Sequence, residues 1–187
     1  NEETLQWEMI GNLPEPAAYG GVVASGDSLI LVGGCNTEHS LRTVLSIHLD
    51  QENGKPILKS LPDLPCTVDN MGVCLLDTRL FVVGGNQDGR PSASVLTMEI
   101  GKDEKWTPET ELIGEPRVQP VCAAYNGELF VWGGFYENGK SSIVATSGLR
   151  YQLMSKSWTS LPAPVNLQGK ELTLFTADYA GRPVVPI

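Results

Sequence analysis

Basic residues are scarce in this chain, which argues against one large class of partners. The 187 residues include 13 Lys and Arg against 22 Asp and Glu, so the formal net charge is −9 and the pI is near 4.7. No run of Lys or Arg breaks this acidic background. Because nucleic acids and anionic membranes attract clustered positive charge, we expect neither of them as the main partner.

Several other signals are missing as well. No stretch approaches the ~20 consecutive apolar residues of a membrane-spanning helix, and no leader is present, so a signal peptide, if one existed, is expected to have been removed. His39 and His48 are the only histidines, and the four cysteines form no close cluster, so we predict no metal site and no cofactor. No glycine-rich phosphate loop leads from a strand into a helix, which argues against nucleotide binding.

Glycine is plentiful by contrast, and part of it forms a repeat. An apolar run ends in a pair of glycines three times, at intervals of about 50 residues, at Gly33-Gly34, Gly84-Gly85 and Gly133-Gly134. A two-residue turn precedes each of these runs, and Asn126-Gly127 is the strongest of the three because Asn-Gly favours a tight hairpin. Each unit is therefore predicted to begin with two antiparallel strands.

Two further strands complete each unit. A third β-patterned run follows at residues 43–48, 94–99 and 148–153, and a fourth often begins with tryptophan, as at Trp7, Trp106 and Trp158. Four strands in about 50 residues are typical of a propeller blade, and blades stack radially because one sheet cannot bury both of its faces alone. The predicted division is a lone outer strand at residues 1–12, blades at 13–61, 62–111 and 112–161, and a half blade at 162–187.

The paired glycines after an apolar strand, followed by an aromatic residue about two dozen positions later, resemble kelch repeats. The prediction is an all-β, kelch-type β-propeller with about three and a half four-stranded blades. The resemblance implies a six-bladed ring, of which this chain supplies the N-terminal half. Because an open ring exposes sheet edges and apolar faces, the missing blades are expected from the rest of a longer chain, from a partner chain or from self-association.

The residues that open the blades are unexpectedly polar. The first strand of a propeller blade lines the central axis, and the equivalent opening positions here are Tyr19, Asn70 and Gln119. Arg117 lies two residues before Gln119, which places both on one face if the strand is regular. Such a set suits a small, hydroxyl-rich, anionic ligand, since an arginine can bind a carboxylate with two hydrogen bonds. The alternative is that these groups merely hold ordered water.

The same segments resemble blade-opening motifs of the sialic acid mutarotases, also called N-acetylneuraminate epimerases. Ala18-Tyr19-Gly20 comes first and Pro116-Arg117-Val118-Gln119 comes third, which is the order of the cyclically permuted branch of that family. The resemblance implies that free sialic acid, a small anionic sugar, is the ligand. It also implies that the general base lies beyond Ile187, so no catalytic residue is assigned. The implied sugar-binding residues are Arg117, Gln119, Asn70 and Tyr19.

Two functions remain open at this point. The first is an isomerase that interconverts the anomers of free sialic acid in bacterial carbohydrate metabolism, for which the resemblance favours a periplasmic or secreted location. This chain alone is expected to be inactive, because half of the ring is missing. The second is a non-catalytic kelch module whose loops bind a protein, and the fold by itself does not choose between them. The polar set beside Arg117 favours the isomerase.

Overall fold

The computed structural model describes residues 6–102, 105–138 and 141–162, together with the backbone of residues 178–179 and 182–183. These residues contain strands and turns but no helix, and every strand pairing among them is antiparallel. The strands are β1 (Gly21–Ser25), β2 (Ser28–Val32), β3 (Val44–Leu49), β4 (Pro56–Ser60), β5 (Val68–Asp69), β6 (Gly72–Leu76), β7 (Arg79–Val83), β8 (Asn86–Gln87), β9 (Arg90–Pro91), β10 (Val95–Glu99), β11 (Thr107–Glu109), β12 (Val121–Tyr125), β13 (Glu128–Trp132), β14 (Phe135–Asn138), β15 (Ser141–Val144), β16 (Gly148–Gln152), β17 (Ser157–Leu161), β18 (Asp178–Tyr179) and β19 (Arg182–Pro183).

Three four-stranded sheets form the body of the described structure. Their strand orders are β1-β2-β3-β4, β6-β7-β10-β11 and β12-β13-β16-β17, and each follows the chain from first to fourth strand. The remaining described strands form three smaller sheets, β5-β8-β9, β14-β15 and β18-β19. The first two strands of each large sheet are joined by a two-residue turn, because Ser25 pairs with Ser28, Leu76 with Arg79 and Tyr125 with Glu128.

The middle sheet is buried on both faces. Along β7, Leu80 and Val82 pack toward the first sheet, whereas Phe81 and Val83 pack toward the third. Successive strand residues point to opposite faces, so one apolar run supplies two cores. Stacking of the sheets thus explains why β7 is apolar at four consecutive positions.

The sheets fan out from their first strands. Both β1 and β12 lie against β6, so the first strands of all three sheets are neighbours. Face-to-face stacking with adjacent first strands is the arrangement of propeller blades. The predicted all-β, kelch-type fold is confirmed, and the number of blades in the ring stays a prediction.

Backbone crowding explains the paired glycines. Both residues of Gly84-Gly85 adopt positive φ, 62° and 80°. A Cβ on Gly85 would lie 2.5 Å from the carbonyl oxygen of Asp69, and one on Gly84 would overlap the carbonyl oxygen of Arg117. The Gly85 N–H donates a 2.8 Å hydrogen bond to that same Arg117 oxygen. The glycines therefore let the second sheet come close to the segment that opens the third.

Two tryptophans join consecutive sheets, Trp106 directly before β11 and Trp158 on β17. Trp106 lies in the core between the first and second sheets and donates its Nε1–H to the carbonyl oxygen of Pro62 at 2.8 Å. Trp158 lies in the core between the second and third sheets and donates to the carbonyl oxygen of Thr110 at 2.9 Å. Each tryptophan therefore contributes apolar area and also anchors the segment that leads into its own sheet.

The two ends of the described chain differ from this pattern. Residues 6–12, part of the predicted lone strand, form no strand, and the side chain of Trp7 is fully exposed at 101%. Gly11 packs against Pro56 of β4, but none of the described strand pairings includes residues 6–12. Apart from Pro162 and the backbone of β18 and β19, the predicted half blade at 162–187 falls outside the described residues.

Candidate functional site

The structure brings three of the four predicted site residues together. Tyr19, Asn70 and Gln119 open the three sheets and share one backbone conformation, with φ values of 55°, 53° and 56°. The Asn70 N–H donates to the Tyr19 carbonyl oxygen at 2.8 Å, and the Gln119 N–H donates to the Asn70 carbonyl oxygen at 2.7 Å. We call these three residues the polar row. The left-handed conformation is unusual for tyrosine and glutamine and costs about 1–2 kcal/mol per residue.

The side chains of the polar row continue the connection. The Nε2 atom of Gln119 donates to Oδ1 of Asn70 at 2.7 Å. Asn70 is half-buried and Gln119 is exposed, while Tyr19 exposes 58% of its surface. The two amides are thus bonded to each other, and together with the exposed phenol of Tyr19 they can offer both donors and acceptors to a ligand.

A buried carboxylate supports the middle residue of the polar row, Asn70. Asp69 is only 7% exposed, and its Oδ1 accepts from the Nδ2 atoms of Asn70 at 2.6 Å and of Asn86 at 2.9 Å. Its Oδ2 accepts from the hydroxyl of Ser40 at 2.5 Å. No Lys or Arg of the described residues forms an ion pair with Asp69, so three neutral donors stabilise the carboxylate.

The sequence reasoning missed Asp69, although a signal was present. The residues that take its place in the other two sheets are Ala18 and Val118, both apolar. Each of these pairs with the residue that follows a glycine pair, as Asp69 pairs with Asn86. A charged residue at a position that is apolar in the neighbouring repeats is the observation that could have found it.

Arg117 does not share the contacts of the polar row. Its guanidinium donates to the carbonyl oxygen of Ser147 and to Oγ of Ser147, both at 2.8 Å, and to the carbonyl oxygen of Gly133 at 3.3 Å. The predicted shared face with Gln119 required a regular strand, and the left-handed conformation of Gln119 breaks that regularity. Arg117 is only 5% exposed, and burial lowers the pKa of its guanidinium from the ordinary value.

A cavity lies next to Arg117 in the third sheet. It has a volume of about 360 Å³, and its lining includes Arg117, Tyr136, Thr146 and Ser147. Glu115 also lines it. The cavity therefore offers a cation and several hydroxyl groups. None of the described hydrogen bonds of the Arg117 side chain goes to a residue of the polar row.

Two further searches of the described residues bear on function. In residues 6–102, 105–138 and 141–162, no group of three or more His, Cys, Asp or Glu side chains is placed to hold a metal ion. Nor does that part of the chain contain a helix of the length and apolarity that crossing a membrane requires.

Similar proteins fall into two groups. N-acetylneuraminate epimerase from Pasteurella multocida (strain Pm70) is 28% identical over 102 residues, covering 54% of this chain and 26% of that protein. N-acetylneuraminate epimerase from Haemophilus influenzae (strain PittEE) is 30% identical over 108 residues, covering 56% of this chain and 27% of that protein. Beta-scruin from Limulus polyphemus is 25% identical over 167 residues, covering 83% of this chain and 18% of that protein.

These similarities and the stacked four-stranded sheets show a kelch-like family resemblance. The chain is also distantly similar to N-acetylneuraminate epimerases. The chain spans about a quarter of the length of the epimerases it matches, 26% and 27%. No family model matches it.

Proposed function

We propose that the protein containing this chain interconverts the α and β anomers of free sialic acid, and that the polar row contacts the sugar. The distant relationship to N-acetylneuraminate epimerases supports the reaction. The shared left-handed conformation of Tyr19, Asn70 and Gln119 is the structural observation that carries the proposal. Glycine would relieve the strain at all three positions, which supports a role for these side chains in contacting a ligand.

This chain is proposed to supply contacts that hold the sugar, but not the acid and base that carry out the reaction. Anomer interconversion needs a base at the anomeric hydroxyl and an acid at the ring oxygen, so that the sugar ring opens and closes. The polar row supplies amide and phenol groups that hold sugar hydroxyls in a fixed orientation. We assign neither the base nor the acid to a described residue.

Arg117 remains the proposed cation for the sugar carboxylate, from within its cavity. A guanidinium has five N–H donors, and the described hydrogen bonds to Ser147 and Gly133 are three in number. Donors therefore remain for a carboxylate in the cavity of about 360 Å³. A ligand bound there would meet Arg117 without displacing it from Ser147.

NMR spectroscopy of freshly released α-N-acetylneuraminate tests the proposal with the full-length protein that contains this chain. We expect the α anomer to equilibrate faster with the protein than in buffer. Tyr19→Phe removes one hydroxyl from the polar row and is expected to slow the catalysed rate by about 3- to 10-fold. Tyr125→Phe is the matched control, since Tyr125 is exposed on β12 and lies outside the row. An equilibration rate equal to that in buffer contradicts the proposal.

A second candidate is a non-catalytic kelch module that binds a protein. The match to Beta-scruin covers 83% of this chain, more than either epimerase match, so the similarity is not confined to the epimerases. Accelerated equilibration of the sugar would contradict this candidate as the sole function. Absence of both sugar binding and acceleration would favour it over the isomerase.

A further inference from the structure

We propose that Asp69 is a positioning residue that sets the orientation of the Asn70 and Gln119 side-chain amides, so that Oε1 of Gln119 accepts a hydrogen bond from a ligand hydroxyl or N–H. The ligand part of this inference rests on the proposed function. The orientation part concerns only residues of this chain. Asp69 would act through Asn70 and does not touch the ligand itself.

The argument begins with the chemistry of the carboxylate. An ionised carboxylate only accepts hydrogen bonds, whereas a side-chain amide has one accepting and one donating end. Asn70 lies 2.6 Å from Asp69 and must therefore turn its Nδ2 toward the carboxylate. The opposite end of the amide, Oδ1, is then the atom left to face Gln119.

The same logic passes to the next residue. Because Oδ1 of Asn70 only accepts, Gln119 must present its Nε2, and it does so at 2.7 Å. This leaves Oε1 of Gln119 as the acceptor at the far end, and among the described residues no group donates to it. Gln119 is exposed, so a ligand can reach this oxygen. The acceptor matches the hydroxyl and amide N–H groups of a sugar and repels a carboxylate.

Comparison of the three sheets shows that folding does not require this arrangement. The equivalent pair is Ala18 with Cys35 in the first sheet and Val118 with Phe135 in the third, whereas the second has Asp69 with Asn86. Burying a carboxylate among neutral donors costs free energy that an apolar pair avoids. In the second sheet this unfavourable burial occurs at Asp69, which is bonded to Asn70 of the polar row.

A charge-exchange cycle tests the orientation without any ligand. Gln119→Glu places a carboxylate oxygen against Oδ1 of Asn70, so this single variant is expected to lose stability. Asp69→Asn frees the Asn70 amide to turn over and donate to the carboxylate that Gln119→Glu introduces. The double variant Asp69→Asn with Gln119→Glu has the wild-type net charge and restores a satisfied row in the reverse direction. The unfolding equilibrium constant of the double variant is measured in urea. It is expected to be about tenfold smaller than the value obtained when the free-energy changes of the two single variants are added, so the double variant is more stable than additivity predicts.

Additive changes in this cycle would overturn the proposal. Asp63→Asn combined with Gln119→Glu is the matched control, because it makes the same charge exchange with an exposed aspartate that pairs with Arg42. The control pair is expected to be additive. Side-chain amide NMR spectra provide a second readout, since Asp69→Asn should shift the Gln119 amide signals although no hydrogen bond joins these two residues. Unmoved Gln119 signals would also overturn the proposal.

Ligand binding separates this inference from the proposed function. The probes are N-acetylneuraminate and its monodeoxy analogues. One analogue should bind the wild type about tenfold more weakly than the parent sugar, and Gln119→Gly should abolish that difference. Coupling in the cycle without any sugar binding contradicts the proposed function and supports the positioning role. Sugar binding without coupling contradicts only the positioning role.

Discussion

The backbone N–H of Gln119 donates a 2.7 Å hydrogen bond to the carbonyl oxygen of Asn70, 49 residues earlier in the chain. Asn70 makes the same kind of bond to Tyr19 at 2.8 Å. Consecutive sheets are thus joined at their opening residues by backbone as well as by the cores between them. These backbone bonds fix the positions of the three residues of the polar row relative to one another.

Replacing Tyr19 by glycine should leave stability almost unchanged. The residue has a φ of 55° and exposes 58% of its surface, so relief of backbone strain offsets the lost contacts. Tyr125→Gly, on the strand β12, should instead lose about 1 kcal/mol, because glycine weakens a strand. Urea unfolding of both variants measures the difference. A loss at Tyr19 as large as that at Tyr125 would mean that the side chain of Tyr19 stabilises the fold.

Replacing Gly84 by alanine should be strongly destabilising. The new Cβ would overlap the carbonyl oxygen of Arg117 in addition to the strain of a φ of 62°, and we expect a loss of about 3 kcal/mol or more. Gly54→Ala is the matched control, since its φ is 69° and nothing lies within 4 Å of its Cβ position. The control should lose only about 1 kcal/mol. Equal losses in thermal or urea unfolding would show that backbone crowding does not explain the glycine pairs.

Replacing Arg117 by lysine should lower stability by about 1–3 kcal/mol, because one ammonium nitrogen would replace the two guanidinium nitrogens that donate to the carbonyl oxygen and Oγ of Ser147. Arg42→Lys is the control, since Arg42 is exposed and its contact with Asp63 is 3.7 Å long. That change should stay within about 0.5 kcal/mol. An equally small loss for Arg117→Lys would argue against the view that Arg117 anchors the segment around Ser147.

Alkaline pH should weaken the fold through a buried thiol. Burial raises the pKa of Cys74 from 9.0 to about 12. Between these values the unfolded chain loses the thiol proton and the folded chain keeps it, so the stabilisation present below pH 9 falls as pH rises. The loss is up to about 1.4 kcal/mol per pH unit for this one group. Urea unfolding from pH 8.5 to 10.5 should show a steeper decline for the wild type than for Cys74→Ala, and equal slopes would contradict this origin.

The sequence predicts the repeating architecture well because backbone requirements recur in it. Pairs such as Gly84-Gly85 and the turn Asn126-Gly127 mark positions where only a few residue types fit, so spacing alone locates the strands. The nearness of Tyr19, Asn70 and Gln119 follows from the same repeat. These features depend on local backbone geometry, which restricts the residue types at each position and can therefore be recognised in a single sequence.

Side-chain direction is harder to predict from the sequence. The placement of Arg117 depended on a regular strand, and a single left-handed residue, Gln119, removes that regularity. Asp69 could not be predicted from the spacing, because its partners Ser40 and Asn86 come from separate segments, and Asn86 lies on β8. Contacts between distant segments follow from the packed fold and leave no spacing pattern in the chain.

Calorimetric titration with N-acetylneuraminate tests the central claim most directly. The full-length protein that contains this chain is compared with a triple variant that has glycine at positions 19, 70 and 119, chosen because glycine accepts φ values of 53° to 56° without strain. The account predicts saturable binding to the wild type and at least about tenfold weaker binding to the triple variant, with both proteins folded. Equal affinities, or no binding to the wild type, would contradict it.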